Sequence, residues 1–539
     1  MKIAPENKPY LFFLVSMLLA LPAFLINLGL SPVIDDEAIR ALVAFEMIQK
    51  SDFITPTIGG EIYLKKPPLF NWLIAASFNT FRSYGEIPVR IPMIISLFFY
   101  SFLIFYFFRK EIGKEHGILS ALMFLTCGRI IIYESLHGLI DISFSMLTFL
   151  FFMMIYRSFN QGKILKLFLW AYGITAIAFL LKGLPSVVFL VISLLVLFIW
   201  QKKFRFLLHW RHFAGIGLFV IIIGAYYLTY FIANDVEPAD MVNVLIGETT
   251  RRTAIRFGIW KTILHLFTFP FEMLYHFLPW SLLVVFLFRK DLFKKIRSNL
   301  FITYISLILI FNILVYWSSP EVYPRYILML VPLLFGIALW FYIDQKKEGS
   351  GLVKTFEIVL GSLITLMIPA PLIIFFTGMK DLIPGVMIYA PLLSIVLMVV
   401  AIYFWKKPQL RLYWVVIALL LLRIGFDLFV LPVRHSGSDE SNAKKLAEEI
   451  VKKTKDSDLC FWWNPELEAT GYYGRQITTY RFNYYLNIKK EEVVQITSDR
   501  DKDTYYISQY WAVKDENINE LMRFQPPGHN SPLVLYKFR

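Results

Sequence analysis

Acidic and basic side chains cluster shortly after the first long apolar run of the chain. The motif IDDEAIR contains Asp35, Asp36 and Glu37, and the motif YLKKPPLFNW places Lys65 and Lys66 directly before two prolines. A carboxylate can accept the proton of an attacking hydroxyl group, and fixed cations can stabilise negative charge that grows on a phosphate. One aspartate would suffice to cap the following helix, and the lysines could simply extend to the membrane surface. Three acids followed by two bases on a rigid turn instead favour chemistry, with Asp36 as the acidic catalyst.

Further polar residues lie where other apolar runs begin or end. Asp141 begins one run, Lys182 ends another, and Arg325 opens a third. Ionisable groups at membrane depth are energetically costly and usually face a cavity or a partner, and arginine presents a fork of donors that suits a phosphate. The simpler roles are a helix cap for Asp141, a lysine extended to the surface for Lys182 and an interfacial aromatic residue for Tyr326.

The mixed set of acids and bases predicts a cavity that opens outward and suits an anion and proton transfer. The predicted catalytic residues are Asp36 and Asp141, and the predicted substrate-binding residues are Glu37, Tyr63, Lys65, Lys66, Lys182, Arg251, Arg252, Arg325 and Tyr326.

The elements that position these residues are apolar helices. The chain has 539 residues, of which 57% are hydrophobic and 17% charged, and its mean hydropathy is +0.58. Apolar runs of about 20 residues can each cross a bilayer. They predict an all-α polytopic membrane protein with about thirteen spans, near residues 10–30, 88–108, 117–134, 139–156, 165–181, 184–200, 213–233, 271–288, 299–317, 325–343, 355–376, 384–404 and 411–431.

Charge in the connections sets the orientation. Alternate connections are basic, namely RKEIGKE, RSFNQGKILK, QKKFRFLLHWRH, RKDLFKKIRS, DQKKEGSGLVK and WKKPQLR. The positive-inside rule places these loops and the N-terminus in the cytoplasm. The net charge of +14 therefore indicates membrane topology, and we expect no nucleic-acid partner. An odd number of spans leaves the C-terminus outside, which is the periplasm if the chain lies in a bacterial inner membrane.

Two domains follow from the change of composition after residue 432. A transmembrane catalytic domain is predicted at 1–432, with outer loops at 31–87 and 234–270, and a soluble periplasmic α/β domain at 433–539. The first loop is expected to hold a helix (DDEAIRALVAFEMIQK), a turn (TIGGE) and an interfacial helix (PPLFNWLIAASFNTF). The C-terminal domain is expected to begin with a helix, SDESNAKKLAEEIVKKTK. Its predicted strands are LCFWWN, QITTYRF, TYYISQYWAV and PLVLYKF.

No glycine-rich phosphate loop or Walker lysine occurs in the sequence, so a soluble nucleotide donor is not indicated. An outward-facing reaction without nucleotides needs an activated donor carried in the membrane. The histidines and cysteines have no metal-ligand spacing, so the sequence indicates no metal site and no required cofactor, and it leaves a need for a divalent metal open.

The first outer loop resembles that of the lipid-linked-sugar glycosyltransferases of the protein-mannosyltransferase superfamily, and in particular the bacterial branch that includes aminoarabinose:lipid A transferase. The matching motifs are Asp36-Glu37, Glu46-Met47, Ser51-Asp52 to Pro56, Tyr63 to Pro68, Asp141, Lys182-Gly183, Pro279-Trp280 and Pro324-Arg325-Tyr326. The resemblance covers roughly residues 10–345. Two positions depart from the aminoarabinose branch and its relatives, because Ile39 stands in place of an arginine and Lys65 in place of a glutamate.

The resemblance implies a GT-C fold and an inverting sugar transfer from a polyprenyl phosphate to an acceptor on the outer face. It implies that Asp36 is the catalytic acidic residue, with Asp141 a second one nearby. It also implies that Lys66, helped by Arg325 or by the Arg251/Arg252 pair, holds the departing phosphate.

The expected partners are a polyprenyl-phosphate-linked sugar, a lipid or glycan acceptor and the bilayer, and the protein is expected to be a monomer. A glycolipid such as lipid A or another cell-envelope glycan is the favoured acceptor, and protein serine or threonine is the alternative. A transporter of lipid-linked precursors would predict inverted repeats or broken helices at mid-membrane, which the sequence does not reveal.

Overall fold

The computed structural model of the protein describes residues 8–237, 259–436, 440–455, 457–464, 477–514 and 516–539, with the single residues 239 and 247. The chain packs as two compact units. The first, the membrane unit, comprises Met1–Asn27, Met93–Leu228 and Val236–Pro432. The second, the loop unit, comprises Leu28–Pro92, Thr229–Asp235 and Val433–Arg539. The predicted boundary near residue 432 coincides with a boundary between the units, but the first outer loop packs with the C-terminal residues. The limits 1–432 and 433–539 stay a prediction.

Helices make up the membrane unit. Its α-helices are Lys8–Leu25, Glu86–Ile112 (which starts in the loop unit), Lys114–Leu125, Gly128–Ile132, Asp141–Asn160, Ile164–Lys182, Pro185–Trp200, Trp210–Ala233, Ile259–His276, Leu292–Arg297, Leu300–Trp317, Val331–Lys347, Gly351–Met367, Val386–Lys406, Arg411–Gly425 and Leu431–Ser436. Short 3₁₀ segments lie between them, at Glu134–Leu136, Phe204–Leu208, Trp280–Leu287, Pro324–Ile327, Ala370–Phe376, Lys380–Leu382 and Pro408–Leu410. A π-helical turn, Phe426–Val430, follows Gly425.

Within the described residues, nine helices are long and apolar enough to cross a membrane, and Pro9–Leu25 and Pro185–Trp200 are shorter apolar helices. These helices confirm the predicted all-α polytopic class. The count of thirteen spans stays a prediction.

One predicted span, 271–288, is wrong as a single helix. The Ile259–His276 helix ends before Pro279, and the 3₁₀ segment Trp280–Leu287 follows. Proline has no N–H group to donate and disfavours helical geometry in the residue before it. Apolarity alone could not reveal this break, because the run is apolar on both sides of the proline.

The loop unit combines the first outer loop with an α/β sheet. Its helices and short loop strands are Asp35–Gln49, Thr57–Ile58, Glu61–Ile62, Leu69–Phe81, Glu440–Thr454, Tyr480–Lys490 and Tyr510–Val513. The strands Leu459–Trp462, Ile496–Thr497, Tyr505–Gln509, Ile518–Phe524 and Leu533–Phe538 form a five-stranded sheet. Leu459–Trp462 lies parallel to its two neighbours, Ile496–Thr497 and Tyr505–Gln509. The Leu533–Phe538 strand runs antiparallel to Tyr505–Gln509 and to Ile518–Phe524.

Aromatic residues form the core beside this sheet. Trp462, Tyr506, Tyr536 and Phe538 are buried together, and apolar burial of such large side chains is the main stabilising contribution available to a small domain.

The sequence predicted most elements of the loop unit. The Asp35–Gln49 helix, the turn at Gly59 and Gly60 and the Leu69–Phe81 helix are confirmed. Acidic residues in the first turn of Asp35–Gln49 interact favourably with the helix dipole. Pro68 precedes the first residue of Leu69–Phe81 and limits its start.

The predicted strand QITTYRF is wrong, since Tyr480–Lys490 is a helix capped by the Thr479 side chain. Only the first half of TYYISQYWAV is a strand, because Tyr510–Val513 turns into a helix. Aromatic residues have a high strand propensity, and that propensity outweighed the capping threonine in our sequence prediction.

Candidate active site

Asp35, the first acid of IDDEAIR, has a structural role within the loop unit. Its carboxylate accepts a hydrogen bond from the backbone N–H of Arg481 at 3.0 Å, in the first turn of the Tyr480–Lys490 helix. The guanidinium of Arg481 in turn donates to the Val33 carbonyl at 2.7 Å. The exposed N–H groups of a helix start need such acceptors. Asp35 therefore connects the first loop to the C-terminal residues.

Glu37, the third acid, is enclosed by the protein. Its carboxylate accepts hydrogen bonds from the Ile34 backbone N–H at 3.1 Å and from Arg90 Nε at 2.8 Å and Nη2 at 3.2 Å. The Glu37 side chain is 0% exposed and that of Arg90 is 1% exposed. Arg90 also donates to the carbonyls of Leu28 and Pro32. Because both oxygens of Glu37 accept hydrogen bonds from protein groups, this residue orients the loop, and its predicted contact with substrate stays a prediction.

Asp36 lies between these two residues and has an exposed side chain. Asp35 accepts a hydrogen bond from Arg481, and Glu37 pairs with Arg90, so the backbone on both sides of Asp36 is held in place. The two flanking acids position the loop, and the side chains of Asp35 and Asp36 are both exposed.

A buried carboxylate, Glu46, holds the turn that follows. It accepts hydrogen bonds from Thr57 Oγ1 at 2.7 Å and from the backbone N–H groups of Gly59 at 2.5 Å and Gly60 at 3.2 Å. Burial raises the pKa of Glu46, although these hydrogen bonds oppose the shift. The hairpin formed by Thr57–Ile58 and Glu61–Ile62 is thus fixed at its tip.

The two lysines of YLKKPP have different surroundings. Lys65 is exposed and, together with Tyr63, lines a cavity of about 360 Å³ in the loop unit. Lys66 is half-buried and is not among the residues that line this cavity. The sequence could not distinguish these two adjacent cations.

Three predicted site residues of the membrane unit lie together. Asp141 Oδ1 accepts a hydrogen bond from Lys182 Nζ at 2.5 Å, and Asp141 Oδ2 lies 3.4 Å from Arg325 Nε. The three side chains are 7%, 11% and 10% exposed. The Lys182 ammonium also lies 4.2 Å from the ring centre of Tyr326. We call Asp141, Lys182, Arg325 and Tyr326 the outer cluster.

The outer cluster draws on three separate helix ends. Asp141 starts Asp141–Asn160, Lys182 ends Ile164–Lys182, and Arg325 lies in the 3₁₀ segment Pro324–Ile327. Asp141 is the first residue of its helix, and its two carboxylate oxygens lie beside Lys182 and Arg325. Two cations sharing one carboxylate leave a net positive charge of about one, which attracts an anion.

Sequence analysis missed a buried network of the membrane unit. Arg129 Nε pairs with Glu134 at 2.7 Å, and Glu134 is 0% exposed. Arg423 pairs with Asp427 at 2.8 Å and donates to Ser135 Oγ at 2.9 Å and to the Ile131 carbonyl. Arg423 therefore holds the segment that leads into Asp141. The signal was available, since an arginine or glutamate within an apolar run usually has a role.

The predicted residues Arg251 and Arg252 lie outside the described residues. Across the ranges that the structure describes, no group of three or more histidine, cysteine, aspartate or glutamate side chains is arranged to hold a metal ion.

Comparison with known proteins supports the interpretation of the fold. Residues 65–227 match the family model of dolichyl-phosphate-mannose-protein mannosyltransferase. Two proteins of Aquifex aeolicus, both described as uncharacterized, are 23% and 25% identical to the chain over 317 and 320 residues. Each match covers 58% of this chain, and they cover 61% and 68% of the respective relatives, so the first relative is matched over less than two thirds of its length.

Solved structures match over nearly the whole chain. The crystal structure of ArnT from Cupriavidus metallidurans bound to undecaprenyl phosphate has a TM-score of 0.65 at 15% identity, covering 99% of this chain and 98% of that one. Its apo structure has a TM-score of 0.64 at 15% identity, covering 97% of each chain. The fold is therefore that of a GT-C integral membrane protein with a small C-terminal α/β domain, as the sequence predicted. The likeness to these structures shows the fold, and the family model matches residues 65–227 of the chain.

Proposed function

We propose that this protein is a membrane glycosyltransferase that moves a sugar from a polyprenyl phosphate to an acceptor on the outer face of a bacterial inner membrane. The observation that carries the proposal is the outer cluster, in which Lys182 and Arg325 share the single carboxylate of Asp141. A net positive site at the ends of apolar helices suits a phosphate whose lipid lies in the bilayer.

The donor chemistry fits the fold. ArnT from Cupriavidus metallidurans, which has the same fold, has been crystallised with undecaprenyl phosphate. By analogy, the lipid tail of the donor would lie among the apolar helices, while Lys182 and Arg325 would contact its phosphate. Fixed cations in a partly dry site stabilise growing negative charge far more than they would in water.

The reaction forms one bond and breaks one bond. An acceptor oxygen attacks the anomeric carbon, the bond from this carbon to the phosphate oxygen breaks, and the phosphate leaves with the electron pair. Displacement in line inverts the anomeric centre. The acceptor proton passes to Asp36, a step for which general-base catalysis typically contributes about 10²–10⁴-fold. If the acceptor is itself a phosphate, no proton needs to move and Asp36 orients the acceptor.

Asp141 fits a different role from Asp36 within this proposal. A carboxylate that pairs with Lys182 and lies beside Arg325 positions both cations against the phosphate. We therefore assign proton transfer to Asp36 and positioning of the phosphate-binding groups to Asp141, with Lys66, Arg251 and Arg252 as further candidates for phosphate contacts.

The proposed orientation rests on the basic connections. Residues of several predicted cytoplasmic connections pair with one another, such as Arg289 and Lys295 with Asp344. Asp141, Lys182 and Arg325, all predicted on the outer side, likewise meet. These contacts support the grouping of the connections, because residues that touch share one side of the membrane. The positive-inside rule then makes the basic side, with the N-terminus, the proposed cytoplasmic side.

The favoured acceptor is a glycolipid or another cell-envelope glycan. Transfer to serine or threonine of a protein is the second candidate, and it is favoured by the match of residues 65–227 to a model described as a protein mannosyltransferase. We expect the enzyme to work as a monomer.

Purified protein supplied with a panel of polyprenyl-phosphate sugars and a membrane extract tests the proposal. We expect transfer by the unmodified protein and a loss of about 10²-fold or more in Asp36→Asn. Asp52→Asn is a matched control, because Asp52 serves the local turn through the N–H groups of Ile54 and Thr55. Donor that is bound but never consumed would overturn the enzyme assignment, and equal transfer by Asp36→Asn would overturn the role of Asp36. Product analysis separates glycolipid from protein acceptors.

A further inference from the structure

The cavity of the loop unit is built from two distant parts of the chain. Glu61, Tyr63 and Lys65 line it from the first loop, and Thr478, Tyr480 and Asn483 line it from the C-terminal residues. Its volume of about 360 Å³ falls in the range of roughly 300–1,000 Å³ that is typical of small-molecule sites. The C-terminal residues therefore contribute half of a formed pocket.

The two walls of the cavity are joined rigidly. The backbone N–H of Ile496 donates to the Gly59 carbonyl at 2.8 Å. Gly59 has a φ of +61°, and a Cβ atom there would lie 2.9 Å from the Ile496 side chain. Since Glu46 fixes the hairpin from the other side, ligand binding requires little reorganisation of this wall, which favours affinity.

The first loop contributes four side chains of the segment 61–65 to the cavity. Glu61, Ile62, Tyr63 and Lys65 line it, whereas Leu64 and Lys66 do not. The two lysines of the motif thus serve different surfaces.

The lining combines apolar side chains with one acid, one base and neutral polar groups; the apolar residues are Ile58, Ile62, Phe461, Ile477 and Ile496. Glu61 and Lys65 oppose each other in charge, so the wall from the first loop is close to neutral. Burial, followed by the negative charge of Asp35, raises the pKa of Tyr480, so its hydroxyl remains protonated at neutral pH. Tyrosine rings, an amide and a hydroxyl group offer flat apolar faces together with donors and acceptors. A sugar ring presents the complementary surface, with C–H groups on its faces and hydroxyl groups around its edge.

We propose that this cavity binds an uncharged mono- or disaccharide unit of the acceptor. The inference rests on the proposed function, since it identifies the cavity as the place where the acceptor is recognised. It also gives the C-terminal residues a role, because Tyr480 and Asn483 line the cavity.

The test uses the full-length protein in detergent and two readouts. Saturation-transfer NMR measures binding of maltose, cellobiose and diacetylchitobiose, with inorganic phosphate as the charged competitor. Acceptor KM and donor KM are measured in the transfer assay. For Tyr480→Ala and Glu61→Gln we expect a weaker NMR signal from the disaccharide that binds and an acceptor KM raised by about tenfold, as loss of one aromatic or hydrogen-bonding contact allows. Donor KM should not change.

Tyr505→Ala is the control. Tyr505 is a partly exposed tyrosine of the five-stranded sheet in the loop unit, and it does not line the cavity. Its acceptor KM should match that of the unmodified protein. The conservative variant Tyr480→Phe keeps the aromatic ring and removes only the hydroxyl group. It should fold normally and retain part of the saccharide binding, which separates loss of a contact from misfolding.

The possible failures are distinguishable. If none of the disaccharides binds, if phosphate displaces them, or if Tyr480→Ala binds them as well as the unmodified protein does, the cavity inference is overturned while sugar transfer is unaffected. If the unmodified protein consumes no donor yet binds a disaccharide in a Tyr480-dependent way, the proposed function is overturned and the cavity remains a saccharide site.

Discussion

Two ion clusters of the membrane unit each contain one lysine, one arginine and one carboxylate, but their contact distances differ. In the outer cluster, Lys182 and Arg325 share Asp141. In a second group, which we call the inner cluster, Lys346 and Arg411 share Glu357. The Val331–Lys347 helix starts just after Arg325 and carries Lys346 near its end, and its 17 residues span about 25 Å.

The difference lies in the length of the contacts to the carboxylate. Glu357 Oε1 accepts hydrogen bonds from Lys346 and from the Tyr342 hydroxyl, both at 2.7 Å, and its other oxygen pairs with Arg411. In the outer cluster the Arg325 contact is 3.4 Å long. Two cations around one acid therefore occur in both clusters, and the contact lengths differ between them. We interpret the short contacts around Glu357 as a structural joint, whereas the outer cluster is the proposed phosphate site.

The largest effect is expected from Arg325→Gln. Loss of one preorganised donor to a developing anion typically lowers kcat by about 10²–10³-fold, and we expect a loss in that range with little change in melting temperature. Arg297→Gln, at an exposed arginine of the Leu292–Arg297 helix, is the control. Normal transfer by Arg325→Gln would make the outer cluster another structural joint.

A smaller effect, on stability, is expected from Glu357→Gln. Removal of a carboxylate that serves three partners should lower the free energy of unfolding by about 1–3 kcal/mol, while transfer per folded molecule stays within about twofold of normal. Thermal unfolding in detergent and the transfer assay measure the two quantities. A large loss of transfer with unchanged stability would show that the inner cluster also serves the reaction, and the proposed difference between the two clusters would be wrong.

Arg325→Lys sharpens the contrast by keeping the charge. Lysine lacks the planar fork of donors that binds a phosphate through two bonds, so we expect about a tenfold fall in kcat, between the unmodified protein and Arg325→Gln. Activity equal to that of Arg325→Gln would mean that the fork geometry, and not the charge, is essential. Full activity would mean that charge alone suffices.

The smallest effect is expected from Lys346→Gln. The Lys346 side chain is 32% exposed, and partly exposed ion pairs contribute about 1 kcal/mol or less. Arg411 and Tyr342 still contact Glu357 in this variant. A loss of stability larger than that of Glu357→Gln would show that Lys346 has a second role, which its contact with the Pro408 carbonyl could supply.

Sequence patterns predicted the elements that depend on composition, such as the apolar helices. They failed where a single residue or local contact determines the secondary structure. Apolar length located most of the membrane helices, because burial in lipid needs only hydrophobicity. It failed at 271–288, where Pro279 interrupts an otherwise apolar run. The strand predicted for QITTYRF failed because Thr479 caps a helix.

The candidate site was predicted in part for the same reason. Asp141, Lys182 and Arg325 are charges at the ends of apolar runs, and the structure brings them together. Three adjacent acids in IDDEAIR could not be assigned separate roles, because the partners Arg90 and Arg481 are 53 and 446 residues away from them. Long-range partners of this kind leave no trace in local spacing.

The cap that Asp35 provides to the Tyr480–Lys490 helix has a consequence for the evolution of the protein. Asp35 and Asp36 are consecutive residues, so the backbone that carries the candidate base is held by a helix encoded more than 400 residues later. An exchange of the C-terminal residues for those of a relative would change the donor side of that cap and, with it, the direction of Asp36. The last hundred residues should therefore not be interchangeable as a module between relatives, and they should diverge only together with the first loop.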